Sequence, residues 1–212
     1  MRLLDQLERK LGRFYIPGLM KYLCFGMAGI YILDLLFYTR GLSASAFLAF
    51  DRDLIFRGQV WRLVSFILIP PSSSPLFILI SLYFYYFLGT TLENQWGSRR
   101  FNLYYLIGVV GADLGGMVLG YNTNVYLNLS LFLAFACLYP DQEILLFFIL
   151  PIKVRYIGYL DAAYLIYLLL IGTWPMRICL VASMLPFILF FGKDAYLMVR
   201  YDIRRLKNQR RF

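Results

Sequence analysis

Six apolar blocks, near residues 18–38, 76–92, 102–120, 125–139, 156–172 and 175–192, occupy most of this chain and constrain its fold more than any other feature. A hydrocarbon layer about 30 Å thick takes about 20 helical residues to cross at 1.5 Å rise each, so six crossings use about 120 positions. No polar stretch between the blocks exceeds about 25 residues, well short of a separate aqueous domain. With 61% hydrophobic and 16% charged residues in a length of 212, a soluble single domain is excluded. The expected fold is therefore all-α: a polytopic six-transmembrane-helix bundle forming one membrane domain over residues 1–212. The second and fourth blocks are short for a full crossing. The second can borrow Leu63 to Ile69, and the fourth can sit in the bundle interior with its ends in water.

The net charge of +9 sits at the two ends and in short connectors, which points to membrane orientation and lipid contact and away from nucleic acid. If both termini share a face, that face collects 16 of the 21 Lys and Arg, including seven from Lys193 to Arg211, and the other holds five. The excess marks the cytoplasmic side, so both termini are expected there. Residues 1–17 carry Leu3, Leu7 and Leu11 at helical spacing among charges, and read as an interfacial helix. The basic tail over 193–212 would meet anionic headgroups at about 1 kcal/mol per nearby basic side chain. Tyr83, Tyr85, Tyr86, Tyr104 and Tyr105 read as an aromatic belt at the headgroup zone. Cys24, Cys137 and Cys179 fall in separate apolar runs and there is no histidine, so neither a disulfide framework, a metal site nor any cofactor is expected.

Two connectors carry specific residues. Between Thr39 and Leu63 runs a mixed segment with Asp51, Arg52, Asp53 and Arg57 that ends on Trp61-Arg62, and reads as a structured surface loop; Pro70-Pro71-Ser72-Ser73-Ser74-Pro75 follows as a break. The second block closes on Gly89-Thr-Thr-Leu92-Glu93-Asn-Gln-Trp96-Gly97-Ser98-Arg99-Arg100-Phe101, where Gly97 can take the positive φ of a tight turn and Glu93 can pair with Arg99 or Arg100.

Together with Gly58-Gln59-Val60-Trp61-Arg62-Leu63, this stretch resembles the rhomboid superfamily of intramembrane serine proteases and their inactive relatives. In that family a Trp-Arg pair lies in the first loop and a Leu-Glu…Gly…Arg-Phe motif follows the second helix. A third likeness runs from Leu133-Ala134-Phe135-Ala136 through Tyr139-Pro140 to Pro151-Ile152-Lys153-Val154-Arg155. The resemblance covers roughly residues 50–160.

Active members use a serine at the start of the fourth helix and a histidine on the sixth. A serine hydroxyl needs a base to become nucleophilic near neutral pH, and this chain has no histidine. Ser130, alone in the fourth block, lies in Asn128-Leu129-Ser130-Leu131 where the family has glycines, and is expected to serve packing. By alignment from Leu92-Glu93, the family's oxyanion donors on the second helix fall on Phe77 and Ser81, so two strong donors are lost. The resemblance thus implies a pseudoprotease that binds transmembrane segments of other proteins or perturbs the bilayer. Two alternatives remain open: a divergent peptidase using Ser130 or Asp113, and a small transporter lined by Asp34, Asp113, Asn128 and Ser130. Asp113 and Asp34 are costly within apolar blocks and are functional candidates on that ground, whereas Gly111, Gly115 and Gly116 read as a small-residue face for close helix contact.

Overall fold

The computed structural model describes residues 15–37, 41–71, 74–146 and 150–191. Most of the expected interfacial helix at 1–17, and all of the basic tail at 193–212, lie outside the described residues. The chain is mostly helical, and four helices are long and apolar enough to cross a membrane: α1 (Leu19–Phe37), α5 (Pro75–Trp96), α6 (Ser98–Leu119) and α8 (Val154–Ile171). A bent pair, α9 (Trp174–Ser183) and α10 (Leu185–Phe191), makes a fifth span if its 46° break lies within one crossing. The fourth apolar block forms α7 (Val125–Leu138), an apolar helix of 14 residues that is shorter than the four long ones and largely buried among the other helices. Leu35, Leu79 and Leu170 on the long helices stand more than three-fifths exposed, as side chains facing acyl chains rather than water would.

The loop between α1 and α5 is built, not slack. It contains α2 (Ala44–Leu48), α3 (Arg52–Phe56), α4 (Arg62–Ser65) and a 3-10 turn over Phe66–Leu68. Ser43 caps α2 through the Ala46 amide, and the Asp51 carboxylate caps α3 by accepting from the Asp53 and Leu54 amides at 2.9 and 3.1 Å. Strand β1 (Phe50–Asp51) pairs antiparallel with β2 (Tyr121–Asn122), which fastens the loop to the far end of α6. The buried Arg62 is its hub: Nη1 donates to the carbonyls of Ala46 and Ala49, and Nε to Gln59 Oε1 at 2.8 Å. Trp61 stacks on Phe47 and donates to its carbonyl at 3.4 Å. Leu63 to Ile69 does not extend the second block. Phe66 is wholly buried against Phe50, and helix α5 begins afresh at Pro75, whose missing donor costs nothing at a first turn.

Helix α5 runs past residue 92 to Trp96 and stops at Gly97, whose φ of 83° turns the chain directly into α6. The small-residue face of α6 meets α9 and α10. A Cβ on Gly111 would collide with the Ala182 carbonyl, one on Gly115 with the Cys179 backbone, and one on Gly108 with Leu127. Gly116 faces Asn122 and Phe50 instead. The contact order from Cys179 to Phe191 makes α9 and α10 run antiparallel to α6 and bring Phe191 against Trp96 and Tyr104.

The tyrosine belt needs correction. Tyr104 and Tyr105 are buried in the core, because the α6 turn that carries them faces the other helices; only Tyr83 and Tyr86 of that set stand exposed. A further hairpin, β3 (Glu143–Leu146) with β4 (Leu150–Lys153), joins α7 to α8 and was not expected from the sequence.

Candidate functional site

Ser130 is fully buried on α7 with its hydroxyl already engaged. Oγ donates to the Leu127 carbonyl at 2.7 Å, a back-bond one turn down the helix, while the Tyr104 hydroxyl is shared between the Ser130 carbonyl at 2.9 Å and Oγ at 3.2 Å. Among the described residues the hydroxyl's hydrogen-bond neighbours are a phenol and a peptide carbonyl, neither of which is a base near neutral pH. Ser130 holds α7 to α6.

The opposite face of α7 opens on a cavity of about 610 Å³ between α5, α7 and α8. Each helix contributes a stripe at helical spacing: Phe77, Ser81 and Tyr85 from α5, Val125, Asn128 and Phe132 from α7, and Ile157, Asp161 and Tyr164 from α8. Two residues along an α-helix is a turn of about 200°, so Asn128 faces the cavity and Ser130 faces Tyr104. Gly158 allows the close approach of α8, since a Cβ there would lie 2.8 Å from Ala136 Cβ. Asp161, three residues on, falls on nearly the same side.

The walls are apolar but the cavity has polar points that the surrounding protein leaves unsatisfied. Asp161 is 8% exposed and neither carboxylate oxygen has a hydrogen-bond partner among the described residues. Asn128 is 4% exposed and is held only weakly: the Tyr85 phenol interacts with its amide, without the geometry of a full hydrogen bond. Buried polar groups are paired as a rule, and a carboxylate left without a partner beside a weakly held amide calls for an explanation. Ser81 and Phe77, the positions matching the lost donors, line the same cavity, so the structure places them with Asn128 and Asp161 and away from Ser130.

The two carboxylates expected to matter are separate. Asp34 accepts from the Ser45 amide at 3.1 Å, from the Ser45 hydroxyl and from the Ser43 hydroxyl at 3.1 Å, which ties α1 to the start of the surface loop. Asp113 lies on α6 with Oδ1 buried and unpartnered, and no hydrogen bond joins it to Asp34 among the described residues. The two carboxylates therefore do not act as a pair in this structure.

A family model described as "Eukaryotic integral membrane protein (DUF1751)" matches residues 21–192, from the first turn of α1 past the end of α10. The chain belongs to this integral membrane family. No curated protein matches it.

The family stretch contains the connector residues singled out in the sequence. Glu93 is buried and accepts from the Gly18 amide at 2.7 Å, so it caps the start of α1 instead of pairing with Arg99 or Arg100. The reason is directional: Glu93 points inward from the last turn of α5, whereas the Arg99 guanidinium lies over the exposed Tyr15 ring at 5.3 Å. Gly89 lets Met20 of α1 come within contact of the α5 backbone, and Leu92 and Phe101 are wholly buried on either side of the Gly97 turn. Asn102 holds the Ile16 backbone twice, accepting from its amide at 3.0 Å and donating to its carbonyl at 2.9 Å. Arg100 follows Arg99 on the outward side of α6. Pro151 pairs with Leu145 in the β3–β4 hairpin, and Lys153 and Arg155 both approach Asp141, at 4.0 and 2.5 Å. Asp161 was missed in the sequence although the rule that drew attention to Asp113 applies equally to it: a lone carboxylate inside an apolar block.

Proposed function

We propose that this chain is a rhomboid-like, six-span membrane domain over residues 1–212, with both termini cytoplasmic, that holds membrane-embedded segments of other proteins in the cavity between α5, α7 and α8 and does not cleave them. The observation that carries this reading is the engagement of Ser130. A hydroxyl that is fully buried, donates to Leu127, accepts from Tyr104 and faces away from the cavity has neither base nor substrate. The cavity itself supports binding: it is bounded by apolar side chains, lies between two long apolar helices, and has a size in the range of about 300–1,000 Å³ that ligand sites occupy. The Trp61-Arg62 hub and the Glu93–Gly18 cap support a scaffold role for the motif residues, because both tie loops to helix ends and neither reaches the cavity. With its hydroxyl spent on packing, a domain of this kind would retain the capacity to receive a helix and lose the capacity to attack it.

The test is made with the full chain in liposomes. A photo-crosslinking residue at Leu160, which lines the cavity, should capture a synthetic transmembrane peptide intact, and one at Leu35 on α1 should capture much less. A fluorophosphonate probe should leave the protein unlabelled. Peptide cleavage or probe labelling that is lost in Ser130→Ala would overturn the non-proteolytic reading.

A further inference from the structure

We infer that Asp161 and Asn128 select the occupant of the cavity, and that it is a transmembrane segment of another protein carrying a lysine or arginine within its apolar span. This rests on the reading that the cavity takes membrane segments. Asp161 is the seventh residue after Val154, about 10 Å along α8, which is well inside a hydrocarbon core about 30 Å thick. A carboxylate at that depth is costly unless a counter-charge or hydrogen-bond donor meets it. Among the described residues none does. Helices α5 and α7 contain no lysine or arginine, and the one basic residue of α8, Arg155, is committed to Asp141 at 2.5 Å. On this inference the missing donor sits on the occupant of the cavity.

The shape of the cavity narrows the source. Its walls are almost wholly apolar, so the occupant is an apolar body with one donor group at the depth of Asp161. A lipid does not fit that description, because acyl chains donate no hydrogen bond and an amine headgroup stays at the interface. A helix with a single basic residue does: its stem packs along apolar walls and its charged head reaches the acid. Asn128, whose amide faces the same space beside the Tyr85 phenol, can turn to hold a backbone carbonyl or a second polar side chain of that segment.

The experiment uses the full chain in phosphatidylcholine liposomes, photo-crosslinked from Leu160 to synthetic leucine-alanine transmembrane peptides that differ only in a central Lys, Leu or Glu. The Lys peptide should be captured about tenfold better than the Leu peptide, the worth of one interhelical polar contact in a bilayer. Asp161→Asn, nearly isosteric, should bring the two within about twofold of each other, and Asp161→Lys should transfer the preference to the Glu peptide. Tryptophan-monitored melting and gel filtration in detergent establish that each variant is folded; the Asn variant alone decides the matter where the Lys variant is not. Equal capture of Lys and Leu peptides by the unaltered protein overturns this inference and leaves membrane-segment binding intact. So does a Lys preference that survives Asp161→Asn. Absence of capture with every peptide overturns the underlying reading instead.

Discussion

Replacing Arg62 by alanine should unfasten the surface loop without unfolding the helical bundle. The guanidinium donates to the Ala46 and Ala49 carbonyls and to Gln59 Oε1, and it sits 5.8 Å from the Phe47 ring centroid. Hydrogen bonds from a charged donor are worth about 1.5–3 kcal/mol net each. Ala46 is exposed and Ala49 half-buried, so both carbonyls can rehydrate once the arginine is gone, and the low end of that range applies. Three such bonds and a cation–π contact of about 0.5–1 kcal/mol come to about 5 kcal/mol. Fixing the long arginine side chain opposes this by about 2 kcal/mol. The net loss is about 3 kcal/mol, about 150-fold in the equilibrium between docked and open loop.

Amide hydrogen exchange in nanodiscs reads this directly, since local opening governs exchange in a segment that detaches alone. The Arg52 amide, bonded to the Gly120 carbonyl at 3.0 Å, and the Ala49 amide, bonded to Ser45 at 2.9 Å, should lose about two orders of magnitude of protection. The middle of α6 should keep its own. Arg62→Lys retains the charge without the planar fork and should fall between the two. Unchanged protection at Ala49 and Arg52 in Arg62→Ala would refute the hub, and an equal loss through α6 would refute the claim that the loop opens as a separate unit.

Gly111→Val should separate α6 from α9, because even the first carbon of the new side chain collides with the Ala182 backbone carbonyl, which cannot rotate away; a cost of about 3 kcal/mol or more, seen as a lowered thermal midpoint in detergent, is expected, whereas Gly29→Val, with open space around it, should change little. Glu93→Gln keeps an acceptor for the Gly18 amide but removes the charge at the start of α1, and should cost about 1 kcal/mol by chemical denaturation, with Glu93→Ala costing more. Single cysteines placed at Ser43 and at Gln142 in a chain whose own cysteines are replaced should react with an impermeant maleimide from opposite sides of the membrane, Gln142 from the cytoplasmic side; labelling of both from one side would defeat the proposed topology.

The long helices were legible because a membrane imposes a length on apolar runs, and α1, α6 and α8 fall close to the blocks read from the sequence. Their ends were less so. Helix α5 continues through Glu93, Asn94 and Gln95, residues that look like a connector, because Glu93 finds the Gly18 amide and Tyr139 donates to Gln95 at 3.1 Å. Those partners lie 75 and 44 residues away, and no local pattern announces them. The β3–β4 hairpin escaped for a related reason. Its apolar run, Ile144 to Ile152, lies in the connector between two blocks, and what fixes it as a hairpin is pairing: Glu143 with Lys153 across the strands, and the Val154 amide with the Gln142 carbonyl at 2.8 Å. Tyr104 and Tyr105 were misread because their aromatic composition is the same on a headgroup-facing turn as on a buried one.

The candidate site shows where sequence reading loses its grip and geometry takes over. Attention fell on Ser130 because a serine is the residue type that acyl-transfer chemistry needs. Yet the helix on which it sits decides what it can touch, and about 200° of rotation separates it from Asn128. The same rotation that retires the hydroxyl against Tyr104 presents an amide to the cavity, beside Ser81 of α5 and Asp161 of α8. Three polar groups on three different helices carry no signal as a sequence motif, since their spacing of 47 and 33 residues reflects only loop lengths. Each is individually costly in a bilayer, however, and their convergence on one apolar cavity is what packing at Gly158 brings about. A chain under no demand to hold a polar partner at that depth would lower its free energy by replacing Asp161 with leucine. Its presence is therefore best explained by what occupies the cavity, and Asp161→Leu should accordingly raise the stability of the empty protein while weakening capture of the lysine-bearing peptide.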